Sequence, residues 1–88
     1  MAWTIEFVPA AAKELKKLDR AEAARIIRTL ETRIAELDDP RQLGAALGGD
    51  LSGLWRWRIG DYRVVAKIED ERVLILVVRV AHRREVYR

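Results

Sequence analysis

Apolar and polar positions first alternate over Trp3-Thr4-Ile5-Glu6-Phe7-Val8, which predicts a strand with Trp3, Ile5 and Phe7 toward the core. Pro9 suits the first turn of a helix, where its missing N–H costs nothing. Ala12, Leu15 and Leu18 give that helix an apolar stripe, while Lys13, Glu14, Lys16 and Lys17 face water, and it should end near Leu18. Asp19, with Glu22 three residues later, has the spacing of a capping box and opens a second helix. This helix runs from about Arg20 to Leu37, with Ala23, Ile26, Ile27, Leu30, Ile34 and Leu37 on its apolar side. Asp38-Asp39-Pro40 ends it, because Pro disfavours helical geometry in the residue before it. Two amphipathic helices with a tight junction predict a helical hairpin lying on one face of a sheet.

Residues 40–53 hold four of the five glycines and read as a loop with one short turn, a candidate ligand-facing flap. Alternation resumes in Leu54-Trp55-Arg56-Trp57-Arg58-Ile59, with the tryptophans and Ile59 on one face and Leu54, Arg56 and Arg58 on the other. Gly60-Asp61 is a two-residue hairpin signal of type II′ character, and Tyr62 to Ile68 returns. Such a turn sets Ile59 opposite Tyr62, Arg58 opposite Arg63 and Arg56 opposite Val65. Three guanidinium groups then share one face, and like charges directly opposite destabilise a sheet, which argues for a bound anion. After a second turn at Asp70-Glu71, residues 73–78 form a continuous apolar run, as in a central strand covered on both faces. Leu74, Leu76 and Val78 would lie on the arginine face, beyond reach of the helices, and an apolar stripe of that kind marks a partner site. The tail over 84–88 reads as a short edge strand.

Composition narrows the chemistry. Eighty-eight residues make one domain, 1–88, large enough for a modest core. The absence of cysteine excludes a disulfide framework or a thiolate zinc site, and a single histidine excludes a multi-histidine metal site. No apolar run is long enough to span a membrane and no export signal is evident, so a cytoplasmic protein is expected. Residues 1–53 carry 8 basic and 9 acidic groups, a balance of −1, whereas residues 54–88 carry 9 and 5, a balance of +4. The positive charge thus belongs to the strands and is mostly arginine, whose planar fork matches phosphate. Phosphate, and hence nucleic acid, is the favoured partner.

The order of strand, two helices, Gly-rich loop and antiparallel strands resembles the RelE/ParE toxin superfamily over essentially the whole chain. The most specific residues are Trp55-Arg56-Trp57-Arg58-Ile59, then Gly60-Asp61-Tyr62-Arg63-Val64-Val65, and the closing His82-Arg83 with Glu85-Val86-Tyr87. The resemblance implies a two-layer α+β fold: an N-terminal strand, a helical hairpin, then antiparallel strands in a twisted sheet packed on the two helices. It implies the toxin half of a bacterial toxin–antitoxin pair, a ribosome-dependent endoribonuclease that cuts mRNA in the A site by 2′-OH attack. That reaction leaves a 2′,3′-cyclic phosphate and a 5′-OH and needs no metal or other cofactor. The implied partners are a cognate antitoxin, the ribosome and mRNA. By position, Arg56 and Arg58 match a basic pair of the family, Arg63 its phosphate-binding arginine, Arg83 an acid or charge stabiliser, and Tyr87 a substrate-orienting tyrosine. Relatives often carry lysines at the basic pair. Arginine does not give up its proton, so Arg56 and Arg58 are electrostatic clamps rather than bases. His82, whose ordinary pKa of about 6.5 suits acid–base work, is assigned proton transfer. Lys13, Lys16, Lys17 and Arg84 are candidate RNA contacts, and Leu74, Leu76 and Val78 the candidate antitoxin contact. Two alternatives stay open: a non-catalytic gyrase inhibitor of the ParE kind, and an RNA-binding module without cleavage.

Overall fold

The structure, a computed structural model, describes residues 2–84. Tyr87, and all but the first residue of the strand expected over 84–88, lie outside the described residues. The expected first strand is β1 (Thr4–Phe7), with Trp3, Ile5 and Phe7 half-buried against the core. Helix α1 (Pro9–Lys16) starts on Pro9 as anticipated. Its inward line is Val8, Ala11, Leu15 and Leu18, not one centred on Ala12. Ala11 is fully buried, whereas Ala12 sits beside Lys13 and Lys16 in a surface groove.

Helix α2 (Arg20–Thr29) follows, with Asp19 at its N-cap, but the Asp19 side chain makes no capping hydrogen bond there. The helix does not reach Leu37. Its last turn, Leu30–Ile34, widens into a π-turn in which the Ala35 N–H donates to the Leu30 carbonyl at 2.7 Å. Helix and sheet are tied at this end, because the Trp3 N–H donates to the Ala35 carbonyl at 2.8 Å. Burial of Ile34 and Ala35 next to each other fits the wider turn, which turns both inward.

The glycine-rich segment is more ordered than a plain loop. It contains a 3₁₀ turn at Pro40–Leu43, the two-residue strand β2 (Ala45–Ala46) and a second 3₁₀ turn at Gly49–Leu51. The buried Trp57 indole N–H donates to the Pro40 carbonyl at 3.0 Å. Gly44 lies so close to that ring that a Cβ there would stand 3.0 Å from the indole nitrogen. The segment is therefore pinned to the core. A two-residue strand without alternation or β-branched residues gives no signal that sequence patterning can detect.

Strands β3 (Leu54–Ile59) and β4 (Tyr62–Glu69) form the expected hairpin in the expected register, with Ile59 opposite Tyr62, Arg58 opposite Arg63 and Arg56 opposite Val65. Gly60 has φ +61° while Asp61 keeps a negative φ, the combination a type II′ turn requires. The next turn is longer than the Asp70-Glu71 pair. Asp70–Arg72 forms a 3₁₀ turn, and Val73 takes the left-handed conformation (φ 49°, ψ 49°) before β5 (Leu74–His82) begins.

The sheet order is β1-β5-β4-β3-β2. Strand β1 pairs with β5 in parallel, so the sheet is mixed rather than wholly antiparallel. The helices cover its tryptophan face. Ala11, Ile26, Leu30 and Ile34 join Trp57, Ile59, Val64, Ala66, Ile68, Ile75, Val77 and Val80 in one core. One irregularity matters for the site. Val65 pairs with Arg79 but the next residue, Ala66, pairs with Val77, so Val78 is an extra residue in β5. This β-bulge reverses the alternation of β5 beyond it. Ile75 and Val77 face the helices, but after the bulge so do Val80 and His82.

Candidate functional site

The face away from the helices carries Leu54, Arg56 and Arg58 from β3 and Lys67, Val65 and Arg63 from β4, paired in that order across the hairpin. Arg58 and Arg63 stand directly opposite one another, with Arg56 next along the strand. Alternation along the two strands puts these three side chains on one face. Arg56 and Arg63 are half-buried and Arg58 is exposed. The Arg56 Nε atom is buried without a hydrogen-bond partner. An N–H of a cation left in that condition is costly, and an oxyanion relieves it.

A small apolar patch floors this face. Val65 and Ala81 are buried in it, with Leu47, Leu54 and Val78 packed around them. Leu47 comes from the glycine-rich segment, which curls round the edge of the sheet: Ala45 pairs with Arg56, and the Leu47 N–H donates to the Leu54 carbonyl at 3.0 Å. The site is thus a row of cations beside an apolar floor, a combination suited to a phosphodiester carrying a base.

The other anticipated residues divide. Arg83 is exposed at the end of β5, and its N–H donates to the Asp61 carbonyl at 2.8 Å. Ala81 lies opposite Arg63 and His82 opposite Tyr62, so the Arg83 backbone comes beside the hairpin turn. His82 does not join them. It pairs with Tyr62, and the two rings meet edge to face, with centroids 5.7 Å apart. Its neighbours are Glu14, Lys17 and Leu18 of the helical layer, around a cavity of about 380 Å³. Its Nδ1 accepts from the Arg84 N–H at 3.3 Å. The bulge at Val78 is the physical reason: plain alternation from Leu74 and Leu76 would have put His82 among the arginines. Proton transfer by His82 within the arginine site is therefore withdrawn.

Lys13 and Lys16 lie on α1 and Lys17 is its C-cap, all in the helical layer on the far side of the sheet from the arginines. Arg84 is exposed in the turn after β5. Of the expected apolar stripe, Leu74 is only 2 % exposed and offers no surface to a partner, while Leu76 and Val78 are half-buried. Among the described residues, the one large apolar side chain that is exposed is Leu43, at 50 %.

Three further residues were missed. Lys67 shares the arginine face, two positions along β4 from Val65, and its alternation was visible in the sequence. Glu14, expected to face water, is half-buried. Its carboxylate accepts from the Val80 N–H at 2.8 Å and sits 3.5 Å from the Arg79 Nε. It thereby satisfies the edge of β5 where β1 has ended, a contact across 66 residues that no local pattern announces. Arg41 bridges Asp39 at 3.0 Å and Asp70 at 2.8 Å and lies over the Trp55 ring, 5.7 Å from its centroid. The hydrogen bond from Arg41 holds the Asp70 carboxyl below its usual range, and Arg41 is raised in return. This latch fastens the glycine-rich segment to the β4–β5 turn.

Comparison with known proteins returns one family over nearly the whole chain. Residues 5–87 match the family described as ParE toxin of type II toxin–antitoxin system, parDE. Toxin RelG of Mycobacterium tuberculosis is 32 % identical over 100 % of this chain and 99 % of its own length. Toxin RelE of the same organism is 36 % identical over 89 % of this chain and 78 % of its own. Among solved structures, the toxin–antitoxin complex RelBE2 from M. tuberculosis contains a chain that superposes with a TM-score of 0.86 at 27 % identity, covering 97 % of this chain and 95 % of that one.

Proposed function

The chain belongs to the RelE/ParE family of toxins from type II toxin–antitoxin systems, and on that premise we propose that it is a ribosome-dependent endoribonuclease that cuts mRNA in the A site. The observation that carries this reading is the cross-strand pair Arg58 and Arg63 with Arg56 beside it, on a face that leaves the buried Arg56 Nε without an acceptor. In the reaction the RNA 2′-oxygen attacks the adjacent phosphorus and loses its proton. The 5′-oxygen leaves and gains one, giving a 2′,3′-cyclic phosphate and a 5′-OH. Charge accumulates on the non-bridging oxygens in between. Fixed guanidiniums stabilise that charge most in a site partly shielded from water. No metal is required, because the nucleophile is part of the substrate and the positive charge is supplied by Arg56, Arg58, Arg63 and Arg83. Tyr87 orients the substrate. With His82 on the other face, the proton leaves to and returns from solvent, and rate should rise with pH without an inflection near the ordinary histidine pKa of about 6.5.

The family description favours one second reading, a ParE-like gyrase inhibitor. Primer extension on programmed, translating ribosomes, run beside a gyrase supercoiling assay, separates the two. New mRNA ends at the A-site codon support the nuclease. Inhibited supercoiling with intact mRNA overturns it.

Chains with this fold occur in complexes with antitoxins, as in RelBE2. The partner proposed here is a cognate antitoxin whose acidic segment folds over the arginine face, with apolar side chains on Leu76 and Val78. Hydrogen exchange of the complex should show protection of β3, β4 and β5. No gain on those strands rules this mode of inhibition out.

A further inference from the structure

Strand β2 covers β3 only at Trp55 and Arg56, so among the described residues the edge of β3 from Trp57 to its turn has no strand beside it. Along that open edge runs the cationic side of α2 and its π-turn. A groove of about 150 Å³ is lined by Thr29, Arg33 and Ile34 on the helical side, Trp57 and Arg58 on the strand, and Leu43 from the 3₁₀ turn. Further along, the Arg25 guanidinium rests on the hairpin turn, where a Cβ added to Gly60 would come within 2.9 Å of its NH1. Arg25, Thr29 and Arg33 follow at successive steps of four, the spacing of one helix face. The π-turn keeps Arg33 on that face.

These cations are uncommitted. The ion pairs among the described residues involve Arg41, Arg72 and Arg79, none of them here. Arg25, Arg33 and Arg58 make no side-chain hydrogen bond among the described residues. Arg58 belongs both to this groove and to the arginine face, so the two positive surfaces are continuous round the edge of the sheet.

We propose that this edge is a second RNA subsite, in which the strand leaving the arginine face passes over Arg58 and lays its backbone phosphates against Arg33 and Arg25. The proposal deepens the nuclease reading and rests on it. A flexible polyanion fits better than a folded protein, because the cations form a line rather than a compact patch and the exposed Leu43 offers an apolar surface for one base beside them. Contacts of this kind add affinity without sequence preference and release counterions, so they show in the salt dependence.

The test uses the full chain and two fluorescent RNAs with 2′-O-methyl riboses, which lack the attacking hydroxyl: a three-nucleotide probe and a twelve-nucleotide probe. Arg25→Gln and Arg33→Gln should each weaken the long probe by roughly threefold to tenfold and lower its log–log salt slope by about 0.7. Neither should change binding of the short one, and Arg33→Lys should restore most of the loss. Both residues are exposed, so thermal melts should match wild type. Should Arg25→Gln melt early, the Arg33 pair decides alone. Equal losses on both probes, or none on the long one, overturn the subsite. RNA affinity unchanged while an acidic antitoxin segment binds more weakly assigns the edge to a protein and overturns it too. Absence of cutting by the wild type on programmed ribosomes is a separate result, which counts against the nuclease reading rather than against this surface.

Discussion

The two faces of the sheet are built from the same strands by opposite rules. On the tryptophan face, side chains of both helices meet Trp57, Ile59, Val64 and Ile75 in a continuous core in which nearly every atom is out of water. On the arginine face the apolar contribution is only Val65, Ala81 and their partial neighbours, and cations stand next to it. A buried apolar face contributes stability in proportion to area removed from water. A face with like charges opposed across a hairpin costs stability. The comparison teaches that β3 and β4 are held by one surface, which leaves the other free to gather cations.

Five substitutions test that division, in order of expected effect. Arg63→Ala or Arg83→Ala should cut mRNA cleavage by about a hundredfold or more, the scale of losing a charge-stabilising group. Unfolding free energy should move by about 1 kcal/mol or less. Toxicity on induction and a denaturant melt read the two sides. Trp57→Ala should do the reverse, costing about 3–5 kcal/mol as a core truncation that also strands the Pro40 carbonyl. An unchanged denaturation midpoint would mean the inside and outside of β3 are misassigned. His82→Gln should leave cleavage within about threefold, because its ring lies against Tyr62 on the core side. A large loss in kcat with a new pH profile would return His82 to the site. Asp70→Asn should have the least effect, present at neutral pH and vanishing in acid. The lowered Asp70 pKa means its contribution is full above the ordinary carboxylate range and fades as pH falls through the lowered value. Melting curves from neutral to acid pH should therefore fall less steeply for the variant than for wild type.

Much of the fold was legible because its signals are local. Alternation in Leu54–Ile59, the Gly60-Asp61 turn and Pro9 at a helix start each constrain the backbone within a few residues, and each held. The register that places Arg58 opposite Arg63 follows from the turn length alone. What escaped depends on distant pairing. Strand β2 exists only because β3 is beside it, and Glu14 is inward only because β1 stops short of Val80. Ala11 rather than Ala12 points inward because the line of burial is set by the docking angle of α1, not by hydropathy. The candidate site was half legible. The hairpin register puts Arg56, Arg58 and Arg63 on one face, as the turn length implies, whereas His82 lies on the other face and Leu74 is buried. A stretch as uniformly apolar as residues 73–78 carries no alternation from which to see a skipped beat.

The bulge at Val78 has a consequence for relatives of this chain. It acts as a phase switch between the first half of β5 and the tail. Two proteins of this architecture that shared every residue of a His-Arg tail would turn opposite members of it toward the arginine face if one of them lacked the extra residue. A one-residue deletion upstream would exchange the two faces of the tail without altering a residue in it. In such a lineage the two presentations lie a single codon apart, and the tail motif alone does not say which one a chain has.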